Sequence, residues 1–206
     1  MLPSLSVITA ILLSTLAAQT ASLDLLRTAV DPSPTLHSYT ASAALVAEAH
    51  AVISLQRRFA GTVYYLKPKR TIVFDNLPPP LRRFRELITT TPTYDEAAAE
   101  YAITPLADDG KRSSYLLVPK KTGTRVASLR VIVDDREGLI SRATWSYING
   151  SRLTFDQAYE AVGPFRIATT IAVSARFPDY RLAGTIRLSD IRTNVPVPAA
   201  LFEAGP

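Results

Sequence analysis

The chain contains no cysteine. That absence removes disulfides, thiolate nucleophiles, cysteine-based zinc sites and a lipid-accepting cysteine together. Histidine is almost as scarce, with only His37 and His50. They flank one strand pattern thirteen residues apart, near its opposite ends, which argues against a shared metal site or a histidine-centred triad. No phosphate-binding glycine loop, G-x-S-x-G elbow or H-E-x-x-H motif occurs. Strands and helices do not alternate as βαβ units, so a Rossmann fold or TIM barrel is excluded. No internal repeat or low-complexity linker interrupts the chain.

Charge is missing from the N-terminus as well. Residues 1–23 hold no charged side chain, and the first is Asp24. Within them Val7–Leu16 is an apolar run of signal-peptide length, followed by small residues at Ala17, Ala18, Ala21 and Ser22. The run is too short and too rich in Ser and Thr for a membrane span. We expect residues 1–21 to be a signal peptide cleaved between Ala17 and Ser22, and 22–206 to be a single periplasmic domain. An uncleaved anchor and a buried first helix are the alternatives.

What remains is a globular composition: 206 residues, 47% hydrophobic, with 15 prolines against 8 glycines. The net charge of +5 favours anionic partners in a general way. The basic residues are scattered along strands and turns, which is not a nucleic-acid signature. Asp108-Asp109 and Asp134-Asp135 each precede a glycine in a turn, and turn chemistry accounts for them; no metal site, cofactor or catalytic group is expected.

The pattern that is present is β. Tyr115–Phe155 reads as four strands joined by turns at Lys121–Thr124, Asp134–Gly138 and Asn149-Gly150, the last a two-residue type I′ signal. Leu129, Val131 and Val133 share one face, as do Ala143, Trp145 and Tyr147, while Arg130, Arg142 and Thr144 point away. A period of two makes this an antiparallel meander with one apolar face. Upstream, Leu23–Val30 is a short helix stopped by Pro32 and Pro34. A strand over His37–Glu48 presents Tyr39, Ala41, Ala43, Leu45 and Ala47 on one face. Strands at Ala51–Tyr65 and Arg70–Phe74 follow, with a break at Pro68. Leu81, Phe84, Leu87 and Ile88 have helical spacing after three prolines. Thr93-Tyr-Asp-Glu96 matches a capping box opening a helical turn to Glu100. Strands resume at Tyr101–Leu106, Ile167–Val173 and Leu182–Leu188. The sum is a mainly β (α+β) chain: a strongly curved antiparallel sheet of about ten strands, an incomplete β-barrel closed by short helices.

Such a sheet encloses an apolar cavity if its inward residues leave space. Ala41, Ala43 and Ala47 are small; Tyr39, Tyr65, Trp145 and Tyr147 are large, with polar tips suited to a cavity mouth. On composition alone an ordinary packed core is the favoured reading of these residues.

The segment Phe59–Phe74, FAGTVYYLKPKRTIVF, resembles the outer-membrane lipoprotein carrier family (LolA-like sorting proteins). There a strand with a glycine, an aromatic-rich stretch and a basic-Pro element precede the next strand. Tyr115–Lys120, Leu129–Asp134 and Gly138–Ile140 resemble the family's meander at similar spacing, and the resemblance covers most of residues 23–203. It implies a non-catalytic, monomeric periplasmic shuttle carrying acylated lipoprotein or other lipid from an inner-membrane release complex to an outer-membrane acceptor. A lipid-sensing or protein-interaction domain on the same scaffold, as in envelope-stress regulators, is the second reading. The lining residues expected are Tyr39, Leu45, Tyr65, Phe74, Trp145 and Tyr147, with Phe84 and Leu87 on a lid. Lys67 stands immediately before the proline, where the best-studied carriers have Arg, and is expected to contact cargo or partner.

Overall fold

The computed structural model describes residues 21–50, 54–74 and 92–202. The leader up to residue 20 and the expected lid residues Phe84 and Leu87 lie outside the described residues.

The chain opens with helix α1, Leu23–Val30, capped by Ser22, whose side chain accepts a hydrogen bond from the Asp24 amide. Ten strands follow: β1 Ser38–His50, β2 Ser54–Leu66, β3 Lys69–Phe74, then β4 Tyr101–Asp108, β5 Arg112–Pro119, β6 Val126–Asp134, β7 Leu139–Tyr147, β8 Arg152–Val162, β9 Phe165–Arg176 and β10 Arg181–Thr193. Helix α2, Tyr94–Glu100, precedes β4, and the expected capping box of Thr93 and Glu96 is formed in both directions. A 3₁₀ turn at Ala199–Phe202 ends the described chain.

All ten strands form one antiparallel sheet in the order β3-β2-β1-β10-β9-β8-β7-β6-β5-β4. Nearly every neighbour is a hairpin partner. The exception is β1 against β10, which brings the two ends of the domain together along register pairs from Tyr39↔Thr193 to His50↔Arg181. β3 and β4 stay at the two edges, so the sheet is curved but does not close.

One detail of the meander differs from expectation. The β7–β8 connection is a three-residue loop, Ile148–Gly150, and not a two-residue type I′ turn. The Gly150 amide donates to the Tyr147 carbonyl at 3.0 Å, and that of Tyr147 donates to Ser151 at 2.9 Å. Only Gly150 takes a positive φ, +80°, and Asn149 does not. This is a type I turn followed by a left-handed residue. The Asn149 side chain is used instead to accept from the Ser151 amide at 3.0 Å. The other turn assignments hold: Asp109 Oδ1 accepts from the amides of Lys111 and Arg112, and Asp134 Oδ1 from those of Arg136 and Glu137. The first pair of bonds lowers the pKa of the exposed Asp109 carboxyl.

The alternation divides the sheet into an inner and an outer face. The inner face carries two apolar clusters. One joins Leu26 and Ala29 of α1 to Tyr115, Leu117, Val131 and Val133. The Tyr115 hydroxyl fastens the helix by donating to the Ser22 carbonyl at 2.6 Å. The larger cluster spans β1, β2, β3, β8, β9 and β10 around Tyr39, Val63, Ile72, Leu153, Ile171 and Ile186.

The outer face carries a row of like charges. Arg181 pairs directly with Arg176, and Arg176 with Arg152, on three adjacent strands. All three are exposed. Like charges placed opposite one another are destabilising. Arg176→Glu is therefore expected to stabilise the fold by about 0.5–1 kcal/mol, read as a higher midpoint in urea at low salt. An unchanged or lower midpoint would show that solvent already screens the three charges.

Candidate functional site

Register, not sequence proximity, assembles the inner face. Ala49 of β1 stands opposite Leu182, which pairs with Ala175, then Leu153, Trp145, Leu129, Leu117 and Ile103. That row crosses eight strands, from β1 to β4, without one polar side chain. The adjacent row runs Ala47, Gly184, Val173, Phe155, Ala143, Val131, Tyr115 and Pro105, its only polar atom being the Tyr115 hydroxyl held by α1. At roughly 4.8 Å per strand, each row is on the order of 30 Å long. Ala175, Leu153 and Leu117 are buried, whereas Ala49, Leu182, Trp145, Leu129 and Ile103 remain half-buried. This is apolar surface that the packed clusters cover only in part.

The expected lining residues Tyr39, Leu45, Tyr65, Phe74, Trp145 and Tyr147 all belong to the larger cluster. Tyr39 is in its buried part at 1% exposure, and the other five pack around it as half-buried side chains. Trp145 meets Phe155 edge-on with ring centres 5.3 Å apart. The sequence reading passed over Val173, Leu182 and Tyr159, which pack against the same cluster. β8 continues through Tyr159 to Val162, beyond the meander read from sequence; Tyr159 keeps the parity of Leu153 and Phe155, but the polar Gln157 interrupts the apolar run between them. Tyr39 also differs in role. Its hydroxyl is not at a mouth but buried, with no hydrogen-bond partner.

Lys67 is committed locally. Its Nζ pairs with Asp31 at 2.6 Å and also donates to the Pro34 carbonyl at 3.2 Å. It thereby ties the β2–β3 turn to the connection between α1 and β1. His37 and His50 stand at opposite ends of β1, as expected. Among the described residues no group of His, Asp or Glu is placed to hold a metal ion, and no helix is long and apolar enough to cross a membrane.

Two open depressions of about 290 and 320 Å³ lie on the sheet. Both are lined mainly by outer-face residues, including Glu48, Asp156, Ala172 and Thr185. The first touches the apolar rows only at Val173 and Gly184, and the second at none of their residues.

Burial sets the protonation of the inner tyrosines. It pushes the Tyr159 phenol up to about 12, with the positive Arg70 opposing and Tyr39 adding to the rise. It also raises Tyr39, against the charge of Arg70. In the unfolded chain these phenols titrate near 10. The folded state therefore keeps protons that the unfolded state releases, so this contribution is whole below about pH 10 and lost as pH rises toward 12. Urea unfolding is expected to give a constant stability up to about pH 9.5 and a decline above it. Tyr159→Phe should flatten that decline; an identical slope in the variant would assign it to other groups.

No protein-family model matches the chain, and no curated protein matches it in sequence. Solved structures do match in fold. A Vibrio parahaemolyticus structure described as an outer membrane lipoprotein-sorting protein domain superposes with a TM-score of 0.58, at 13% identity, over 87% of this chain and 94% of that one. A DUF1329 family protein from Desulfovibrio piger gives 0.54 at 15% identity, over 87% and 94%. A LolA superfamily protein from Nitrosomonas europaea gives 0.48 at 10% identity, over 90% and 98%. At these identities the likeness is one of fold, and the fold is LolA-like.

Proposed function

We propose that this protein is a non-catalytic periplasmic carrier of acylated lipid, holding acyl chains against the inner face of its sheet. The observation that carries this reading is the pair of apolar rows crossing eight strands. A folded chain that needed those side chains only as core would bury them throughout. Here Val173, Leu182 and Trp145 of those rows, with Leu45 and Tyr147 beside them, stay half-buried around the packed centre. Each methylene moved from water onto such a surface gains about 0.8 kcal/mol, so covering a few of them is enough for stable carriage. The edges β3 and β4 remain unjoined, which lets the sheet spread to admit cargo without breaking a ladder. The LolA-like fold adds support, because the Vibrio domain of the same fold is described as lipoprotein-sorting. Delivery would run from a donor in the inner membrane to an acceptor in the outer membrane, with the acceptor offering the better site. The apolar leader fits export to that compartment.

The test is native mass spectrometry of protein produced with its leader and purified from the periplasm without detergent. Bound species with the masses of acylated lipids are expected. Apo protein alone, together with no transfer of a fluorescent acyl probe between vesicles, would rule the carrier out.

A further inference from the structure

Among the buried polar atoms that lack a partner, two belong to neighbouring strands at one end of the inner face. The Tyr39 hydroxyl and Arg70 Nε are both buried without a hydrogen bond of regular geometry, and the polar group facing the Tyr39 phenol is the Arg70 guanidinium, itself a donor. Register brings them together from residues thirty-one positions apart in the chain. Arg70 of β3 stands opposite Tyr65 of β2, and Tyr65 stands opposite Tyr39 of β1. The two tyrosine rings stack with centres 5.0 Å apart and planes 23° from parallel. The guanidinium carbon of Arg70 lies 5.9 Å from the Tyr39 ring centre and 6.0 Å from that of Tyr65. Tyr159 reaches the same neighbourhood, and its hydroxyl makes only a long bond of 3.4 Å to Gln157 Oε1.

The charge there is unbalanced. Among the described residues no carboxylate pairs with Arg70. Asp31, whose charge is felt at Tyr65, is already held by Lys67 at 2.6 Å. Arg70 and Lys67 against Asp31 leave one positive charge over. A part-buried guanidinium with no counter-ion and a buried phenol with no acceptor both carry an uncompensated desolvation cost. Arginine has donors only, and the phenol has a donor to give. One anionic acceptor satisfies both, and a carboxylate or phosphate matches the guanidinium fork.

We propose that Arg70, with Tyr39 and Tyr159, binds the anionic head of an amphiphile, a carboxylate or phosphate, whose acyl chain lies on the inner face. The proposal rests on the carrier reading given above and specifies the class of cargo. Access fits: β3 is the last strand of the sheet, with the 3₁₀ turn at Ala199–Phe202 packed against it, and Arg70 is only part-buried, so its side chain keeps a solvent-facing approach. Distance fits too. Leu45 lies six residues beyond Tyr39 on the same strand and face, about 20 Å away, within the span of a membrane-lipid acyl chain.

The test compares ligands that share a chain and differ in the head: oleate, oleoyl lysophosphatidic acid and methyl oleate, with inorganic phosphate and acetate as chainless anions. The two acids are expected to bind the wild-type protein at least about tenfold more tightly than the ester. Arg70→Met should bring the acids down to the ester's affinity and leave the ester unchanged, while Arg70→Lys, with charge but no fork, should lie between. The ligand comparison on wild-type protein decides the matter even where a variant folds poorly. An ester that binds as well as the acids overturns the head-group site and leaves the carrier standing, with ordered water as the partner of the orphaned atoms. Phosphate or acetate binding as tightly as the acids overturns the amphiphile and makes this a free-anion site. If none of the three chains binds, the carrier reading falls and the head-group site falls with it.

Discussion

Leu45→Glu is expected to abolish acyl-chain uptake while leaving the protein folded. Leu45 faces inward, half-buried, between Phe59 of β2 and Ile186 of β10. Its Cδ1 leans toward Gly184, where a Cβ would meet it at 3.3 Å. The substitution removes a leucine's apolar contact, about 2 kcal/mol, and sets a carboxylate in the path of the chain. That carboxylate either stays charged, at a desolvation cost, or takes up a proton. Together these effects should weaken binding by on the order of a hundredfold. The matched control is Val46→Glu, one residue further on. Val46 faces outward and pairs with Arg58, so a glutamate there meets an arginine and not a lipid. Uptake by a folded Leu45→Glu protein, or equal loss in both variants, would place the chain somewhere other than the inner face.

The largest loss of stability is expected from Gly61→Val. Gly61 of β2 stands opposite Phe74 of β3, with the backbone of β3 close against it. A Cβ built there would stand 2.4 Å from the Val73 carbonyl oxygen and 2.8 Å from the Phe74 Cα. Both obstacles are backbone, so no side-chain rotation relieves them. β3 has to move away, and its register with β2 from Gly61↔Phe74 to Leu66↔Lys69 is at risk. The expected cost is about 3 kcal/mol, a fall in Tm of roughly 10 °C for a domain of this size. Arg70 is carried on β3, so head-group discrimination should disappear together with stability. A variant melting with the wild type would mean that the two strands stand further apart than described.

These two positions also show what was legible in the sequence. Alternation of period two fixed the inward face of β1 correctly, from Tyr39 to Ala47, because a slip of one residue would have turned all five of these side chains toward water. The same logic identified the meander, and the Thr93–Glu96 pattern announced α2, since both depend on interactions within a few residues. Tyr159 was missed because Gln157 stands on the same face between it and Phe155 and interrupts the apolar run of β8. The Asn149-Gly150 signal found the right turn but the wrong type, as both types place a flexible residue at the same point. Arg70 read as one member of a basic cluster from which only Lys67 was singled out, by its place before the proline, and nothing local distinguished Arg70 from Lys69.

The sequence by itself determined the absence of thiol chemistry, the approximate number of strands and the apolar side of β1, β6 and β7, because these follow from composition and local periodicity. The pairing of β1 with β10 joins residues more than 130 positions apart, and no local pattern encodes it. Only the tertiary structure could line the apolar side chains of eight strands into continuous rows and set Arg70 beside Tyr39 with no partner for either polar atom. Hydrogen-bonded register, which converts local alternation into a continuous surface, is the physical reason.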